Sequence, residues 1–198
     1  GMTELSPLAT VAPVDDAETC YGSSGRVVPA TTIKIVDPRT RAELGVGEEG
    51  ELLVSGPQVM LGYLNRPEAT SETIVDGFVC TGDLAWIDER GNVFVGDRLK
   101  ELIKVKGFQV APAEVEGVIL EHPDVLDCCV IGVPDERSGE RPKAFVVLQP
   151  GATIDADELL AALKQKLAPY KVPQQVQYLD TIPKSASGKI LRRKLRAG

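Results

Sequence analysis

Between Thr31 and Asp37 (TTIKIVD) apolar and polar residues alternate, the period of a strand with one face in a core. Pro38-Arg39-Thr40 closes it as a turn, and Glu51–Ser55 (ELLVS), set between Gly50 and Gly56-Pro57, reads as a second strand. Residues 5–30, rich in Pro, Ser, Thr, Asp and Ala, read as loop. The stretch LGYLNRPEATSETI has room for one helical turn around Ala69–Thr73, capped by residues such as Thr70 or Ser71. Gly77–Thr81 predicts a strand running into a Thr81-Gly82-Asp83 turn. Leu84–Asp88 and Asn92–Val95 then pair as a hairpin around Glu89-Arg90-Gly91.

The second half changes period. Leu102–Val105 is a short strand, and Lys106-Gly107-Phe108-Gln109 a turn that opens a helix. Pro112 suits the first helical position, where its missing N–H costs nothing. Val115, Val118 and Ile119 fall on one helical face, and Pro123 ends that helix. Val125–Val133 (VLDCCVIGV) and Pro142–Leu148 (PKAFVVL) are apolar runs expected to pair as buried strands. Asp155 and Glu158 have capping-box spacing. Leu160, Leu163 and Leu167 continue one apolar face, Pro169 stops the helix, and Gln175–Leu179 is a last strand. The expected fold class is α+β: a β-rich part over residues 1–97, then a small α+β domain over residues 98–198 with helices packed on a sheet.

Composition alters this picture little. Hydrophobic residues make up 43% and charged residues 26%, ordinary for a soluble globular chain. No apolar run approaches the roughly 18 residues of a membrane span, and no secretory signal is visible, so a cytoplasmic location is expected. Cys20, Cys80, Cys128 and Cys129 match no zinc or redox pattern, so a reducing compartment is expected. The adjacent pair in an apolar run reads as buried filler. His122, before Pro123, suggests no acid–base partner, and Trp86 in the hairpin reads as packing. The formal charge of −7 divides unevenly: residues 1–97 hold 16 acids and 6 bases (−10), and residues 98–198 hold 13 acids and 16 bases (+3). A basic second half suits a polyanion such as a nucleotide or a phosphorylated thiol carrier, although by itself solvated surface is the preferred reading. No nucleic-acid reader motif is present, so no nucleic acid is expected as a partner.

Three positions then suggest chemistry. A carboxylate at Asp83, after a strand and a glycine, can accept two hydrogen bonds from a vicinal diol such as a ribose; the same residues also form plain Asx turns. Arg98 has a planar fork that grips ribose or phosphate, or makes a surface ion pair. Ser187-Gly188-Lys189 puts a lysine on a glycine-containing loop, where it can swing onto a phosphate. The bland reading of that region is a solvated basic tail: Lys184, Lys189, Arg192, Arg193, Lys194 and Arg196 have no acid among them.

The order and spacing of these elements decide the matter. GMTE at 1–4, TGDLAWID at 81–88, GDRLKELIKVKGFQVAPAEVE at 96–116 and PKSASGKILRRKL at 183–195 resemble the AMP-forming acyl-CoA synthetases of the adenylate-forming superfamily, most nearly the 4-coumarate–CoA ligase and luciferase branch. The resemblance covers essentially the whole chain. It implies a two-step reaction. A carboxylate attacks the α-phosphate of ATP to give an acyl-adenylate and pyrophosphate, and the thiol of CoA then displaces AMP, with a small domain turning on a hinge between steps. Carried over by position, the resemblance implies that Thr3 and Glu4 help hold ATP and Mg2+. Asp83 binds the ribose hydroxyls, Arg98 supports the nucleotide and Lys100 is the hinge. Lys189 stabilises charge on the α-phosphate. Lys104 faces the active site in the thioester step with Lys106, Gly107 and Gln109, which serve CoA; the glycine admits the CoA arm close to backbone.

One departure matters. The glycine-rich phosphate loop of the family is missing; the nearest glycine cluster, Tyr21–Gly25, lacks its lysine and run of hydroxyls. The chain is therefore expected to represent the end of the large domain plus the small domain, and to be inactive in adenylation alone. The surface over residues 30–80 is expected to expose strand edges and apolar faces and to favour self-association. Two other readings stay open: a non-catalytic binding module, and part of an adenylating domain that loads a carrier protein.

Overall fold

The computed structural model describes residues 1–12 and 20–196. The chain divides into two compact units, Gly1–Lys100 and Glu101–Gly198.

The first unit is built on antiparallel strands. After a 3-10 turn, Thr3–Leu5, come β1 (Thr10–Val11), β2 (Arg26–Val27), β3 (Thr32–Val36), β4 (Gly50–Ser55), α1 (Pro67–Thr73), β5 (Ile74–Val75), β6 (Phe78–Ile87) and β7 (Val93–Arg98). β1 and β2 pair with each other, within residues expected to be loop; residues 13–19 of that stretch lie outside the described residues. β3, β4 and β6 form a sheet whose far edge is completed by β5 and then β7 along the length of β6. Alternation in β3 matches its register on β4, where Ile33 faces Val54 and Ile35 faces Leu52. β4 is buried from Gly50 to Val54 because strands flank it on both edges and side chains cover both faces. The core joins Leu5, Ala9, Ile35, Leu52, Val54, Val79, Ala85 and Val93. α1 starts at Pro67, and its expected caps do not cap it. Thr70 Oγ1 and Ser71 Oγ point back from inside the helix, donating to the carbonyls of Arg66 and Glu68. The apolar side chains most exposed in this unit, Tyr21, Val46, Leu61 and Leu64, stand in loops rather than on strand faces.

In the second unit β8 (Ile103–Val105), β9 (Phe108–Val110), α2 (Pro112–Leu120), β10 (Val125–Asp135), β11 (Gly139–Leu148), α3 (Ala156–Lys166), β12 (Gln175–Tyr178) and α4 (Arg192–Arg196) form a mixed α+β fold. The sheet runs β10-β11-β8-β9, with β12 parallel to β11. Phe108–Val110, expected as a turn into a helix, is a strand, since Val105 pairs with Phe108 and Ile103 with Val110. β10 and β11 are continuous apolar runs because both faces of this sheet are covered. Cys128, Val130, Ala144 and Val146 face α2 and α3, against Val115, Ile119, Leu159 and Leu163. Cys129, Ile131, Phe145 and Val147 face the C-terminal tail, against Ile182, with Ile190 and Leu195 beside them. The Asp155 side chain accepts from the Glu158 N–H at 2.8 Å and caps α3. The buried stripe of α3 is Leu159, Leu163 and Leu167 at i, i+4, i+8; Leu160, expected on that face, sits at its margin. Among the described residues no helix is long and apolar enough to cross a membrane.

Candidate active site

In the first unit the site grows from a break in β6. Thr81-Gly82-Asp83, expected as a turn, is a bulge inside a continuous strand. The register slips on the β4 side between Glu51 and Leu53 and on the β7 side between Asp83 and Ala85. Gly82 takes φ 70, where a side chain would be strained. The buried Thr81 hydroxyl donates to the Leu52 carbonyl at 2.8 Å and accepts from the Asp83 N–H at 3.1 Å. The Gly82 N–H donates to Glu51 Oε1 at 3.2 Å, and Glu51 Oε2 is held by Arg41. Partners on both edges let the strand continue, so the bulge redirects Asp83 without ending pairing.

Asp83 and Arg98 are register partners across β6 and β7, which is why residues far apart in sequence meet. Arg98 Nε lies 3.0 Å from Asp83 Oδ1, with Asp83 21% and Arg98 58% exposed. Beside them is a cleft of about 410 Å³ whose walls include Glu4, Tyr63, Thr81, Gly82, Arg98 and Lys100. Glu4 is oriented by Tyr63, whose hydroxyl donates to Glu4 Oε1 at 2.8 Å. That hydrogen bond, with some burial, pushes the Tyr63 hydroxyl above its ordinary range. Thr3 is exposed on the 3-10 turn and does not line the cleft. Asp83 itself lines an adjoining cavity of about 180 Å³ with Met2, Leu5 and Thr81. A carboxylate, an arginine fork and a lysine around a polar cleft suit a diol joined to a phosphate.

Mg2+ commonly binds through one or two carboxylates and the oxygens of its substrate. Glu4 can supply one such oxygen, and Thr3 beside it a hydroxyl. Among the described residues no group of three or more His, Cys, Asp or Glu is gathered as a self-sufficient metal site. Glu4 fits a metal that takes further oxygens from a polyphosphate.

In the second unit Lys104, Lys106, Gly107 and Gln109 lie on one hairpin. Lys106 (φ 50) and Gly107 (φ 86) are both left-handed, the two-residue turn that matches strand twist. Lys104 and Gln109 are cross-strand partners and both are exposed. The hairpin is seated on β11: the Lys104 N–H donates to Glu140 Oε2 at 2.8 Å and the Lys106 N–H to the Ser138 carbonyl at 2.8 Å. Its open face also carries Phe108, stacked on Tyr170 with ring centroids 4.6 Å apart.

Lys189 stands on a different hairpin. Lys184 and Ile190 bridge its base, the Ser185 N–H donates to the Lys189 carbonyl at 2.8 Å, and Gly188 has φ 81. The Lys189 side chain is exposed. The tail carrying it is not a run of free bases. Lys184 Nζ reaches Asp127 Oδ2 at 2.6 Å, and Arg192, half-buried, is paired with acids from elsewhere in the unit. Sequence reasoning assigned no role to Tyr63, Glu51 or Arg41; their partners lie 10 to 59 residues away, and no local pattern marks such pairs.

The chain as a whole is similar to known proteins. The model of the AMP-binding enzyme family matches residues 1–64, and that of the AMP-binding enzyme C-terminal domain matches residues 114–189. The chain is 47% identical to 4-coumarate–CoA ligase-like 6 of Oryza sativa subsp. japonica over 98% of its own length and 33% of the relative's. It is 46% identical to 4-coumarate–CoA ligase 2 of Nicotiana tabacum over 100% of the chain and 37% of the relative. The chain thus spans about a third of the length of these relatives. Among solved structures, ATP-bound MatB from Rhodopseudomonas palustris superimposes with a TM-score of 0.94 at 39% identity, over 100% of this chain and 39% of that one. The o-succinylbenzoate CoA synthetase MenE from Bacillus subtilis, bound to its acyl-adenylate intermediate, gives 0.87 at 37% identity over 99% and 40%. The chain belongs to the AMP-binding, adenylate-forming enzymes.

Proposed function

We propose that this chain serves an acyl-CoA synthetase that activates a carboxylic acid with ATP to an acyl-adenylate and pyrophosphate, then passes the acyl group to CoA with release of AMP. The carrying observation is the Asp83–Arg98 pair beside the cleft that also holds Glu4 and Lys100. Asp83 accepts from the ribose hydroxyls, Arg98 orients it and supports the nucleotide, and Lys100 is the pivot between the two units. Glu4, next to Thr3, holds the magnesium that accompanies ATP. Lys189 stabilises charge on the α-phosphate during adenylation. Lys104, Lys106, Gly107 and Gln109 serve the thioester step, the open Gly107 backbone admitting the CoA arm. The plant relatives are named for 4-coumarate, so an aromatic acid is the first substrate to try.

These residues bind nucleotide but do not by themselves complete adenylation, because the only glycine cluster near the first unit's start, Tyr21–Gly25, has no lysine. Calorimetric titration of AMP into the 198-residue chain tests the reading. Asp83→Ala should weaken binding about tenfold or more, the worth of a hydrogen bond to a charged group. ATP–pyrophosphate exchange with mixed carboxylic acids should stay at background. AMP affinity unchanged in Asp83→Ala refutes the ribose assignment, and exchange above background refutes the claim of incompetence.

A further inference from the structure

The expectation for the basic tail is solvation, and Arg193, Lys194 and Arg196 meet it. Arg192 does not. Its side chain is 13% exposed and faces Glu116, which is 12% exposed. The contact is a two-pronged fork: Nη1 donates to Glu116 Oε1 at 2.5 Å and Nη2 to Oε2 at 3.1 Å. Nε donates to Glu101 Oε2 at 2.8 Å. Nη1 also reaches the Cys129 sulfur at 3.0 Å and the Val130 carbonyl at 3.4 Å. Glu116 Oε1 in turn accepts from the Val130 N–H at 2.7 Å. One guanidinium therefore joins α4 to α2, to β10 and to the first residue of the second unit.

Lys189 lies three residues before this knot, on a hairpin whose tip bonds mainly to itself: the Lys189 N–H donates to Ser185 Oγ at 3.1 Å and the Gly188 N–H to the Ser185 carbonyl at 2.9 Å. The hairpin's other limb is tied by Lys184 to Asp127, an ion pair 41% and 29% exposed and so a weak tether. Buried ion pairs rarely add net stability over an apolar filling of the same space; what they specify is one arrangement. A lysine could not hold Glu116 by two bonds and Glu101 by a third, since it lacks the fork.

We propose that Arg192 is a positioning residue, fixing where the Lys189 hairpin stands on the second unit by locking its downstream limb to Glu116 and Glu101. The role of Lys189 rests on the proposed function, but the positioning is read without nucleotide and fails or holds separately.

The test is 15N relaxation on the whole chain in wild type, Arg192→Lys, Arg193→Ala and the double variant Arg192→Gln/Glu116→Gln, which does not leave Glu116 as an unpaired buried charge. In wild type and Arg193→Ala, order parameters at Ser185, Gly188 and Lys189 should sit near ~0.85. In the other two they should fall below ~0.6, the range of flexible backbone, while Val130 and Val146 keep their values. A fall shared equally by Val130 and Val146 would mean that Arg192 only stabilises the unit. Unchanged values at 185–189 in the double variant would mean that the packing of Ile190 suffices, and full order in Arg192→Lys would mean that charge alone suffices. Any of the three overturns the proposal.

Discussion

Asp83 and Cys128–Cys129 show how far a residue's meaning depends on its surroundings. A carboxylate after a glycine is common. Asp83 becomes informative because the bulge turns it toward Arg98 at 3.0 Å and a cavity that it lines with Met2, Leu5 and Thr81. The two cysteines go the other way. Burial, aided by the Glu116 charge, pushes the Cys128 thiol to about 12, and burial pushes Cys129 to about 11, against an ordinary 9.0. The folded state thus keeps protons that the unfolded chain releases. Their contribution to stability is complete below pH 9 and is lost as pH rises from there toward 11 and 12. The unfolding free energy of the second unit in urea titrations should therefore fall between pH 9 and 11, by up to about 1.4 kcal/mol per pH unit for each thiol. In Cys128→Ala/Cys129→Ala that decline should be shallower; equal slopes would show that the thiols do not carry it.

At the scale of elements, the second unit's candidate thiol-step residues depend on one turn. Gly107 has φ 86 and open space where a Cβ would go, so Gly107→Ala isolates backbone strain from crowding. The left-handed region costs an L-residue roughly 1–2 kcal/mol, and the unfolding free energy of the second unit should drop by about that amount. A neutral result would mean that the turn relaxes into another type. The bulge in β6 and the strand at Phe108–Val110 share a cause. Each continues pairing where a local reading sees a break, because a neighbouring strand offers hydrogen bonds to the residue after the glycine. Turn chemistry at Gly82 and Gly107 was legible; whether the chain turned back or bulged was not, since both need the same residue.

At the scale of the molecule, apolar residues sort into separate cores, one in the first unit and two on opposite faces of the second unit's sheet. Leu163 is 2% exposed under α3. Leu163→Ala should destabilise the second unit by about 2–5 kcal/mol. Amide exchange along β10 and β11 should accelerate while β4 and β6 in the first unit keep their rates. Acceleration in both would show that the units unfold together. The net basicity of the second half also changes meaning at this scale. Lys184 and Arg192 are neutralised by Asp127, Glu101 and Glu116, while Lys104, Lys106 and Lys189 stand exposed on two hairpins, as do Arg193, Lys194 and Arg196 in the tail.

The sequence by itself determined most strands and helices, the α+β class and the family, because alternation, proline and glycine placement and short motifs act over a few neighbours. It named Asp83, Arg98, Lys104 and Lys189 through their motifs. Only the tertiary structure decided that Asp83 meets Arg98, that Tyr63 orients Glu4 and that Arg192 is paired with acids rather than solvated. Each of these is a pairing between residues far apart in the chain. Strand register and the packing of a tail on a sheet bring them together, and no window along the chain contains both partners.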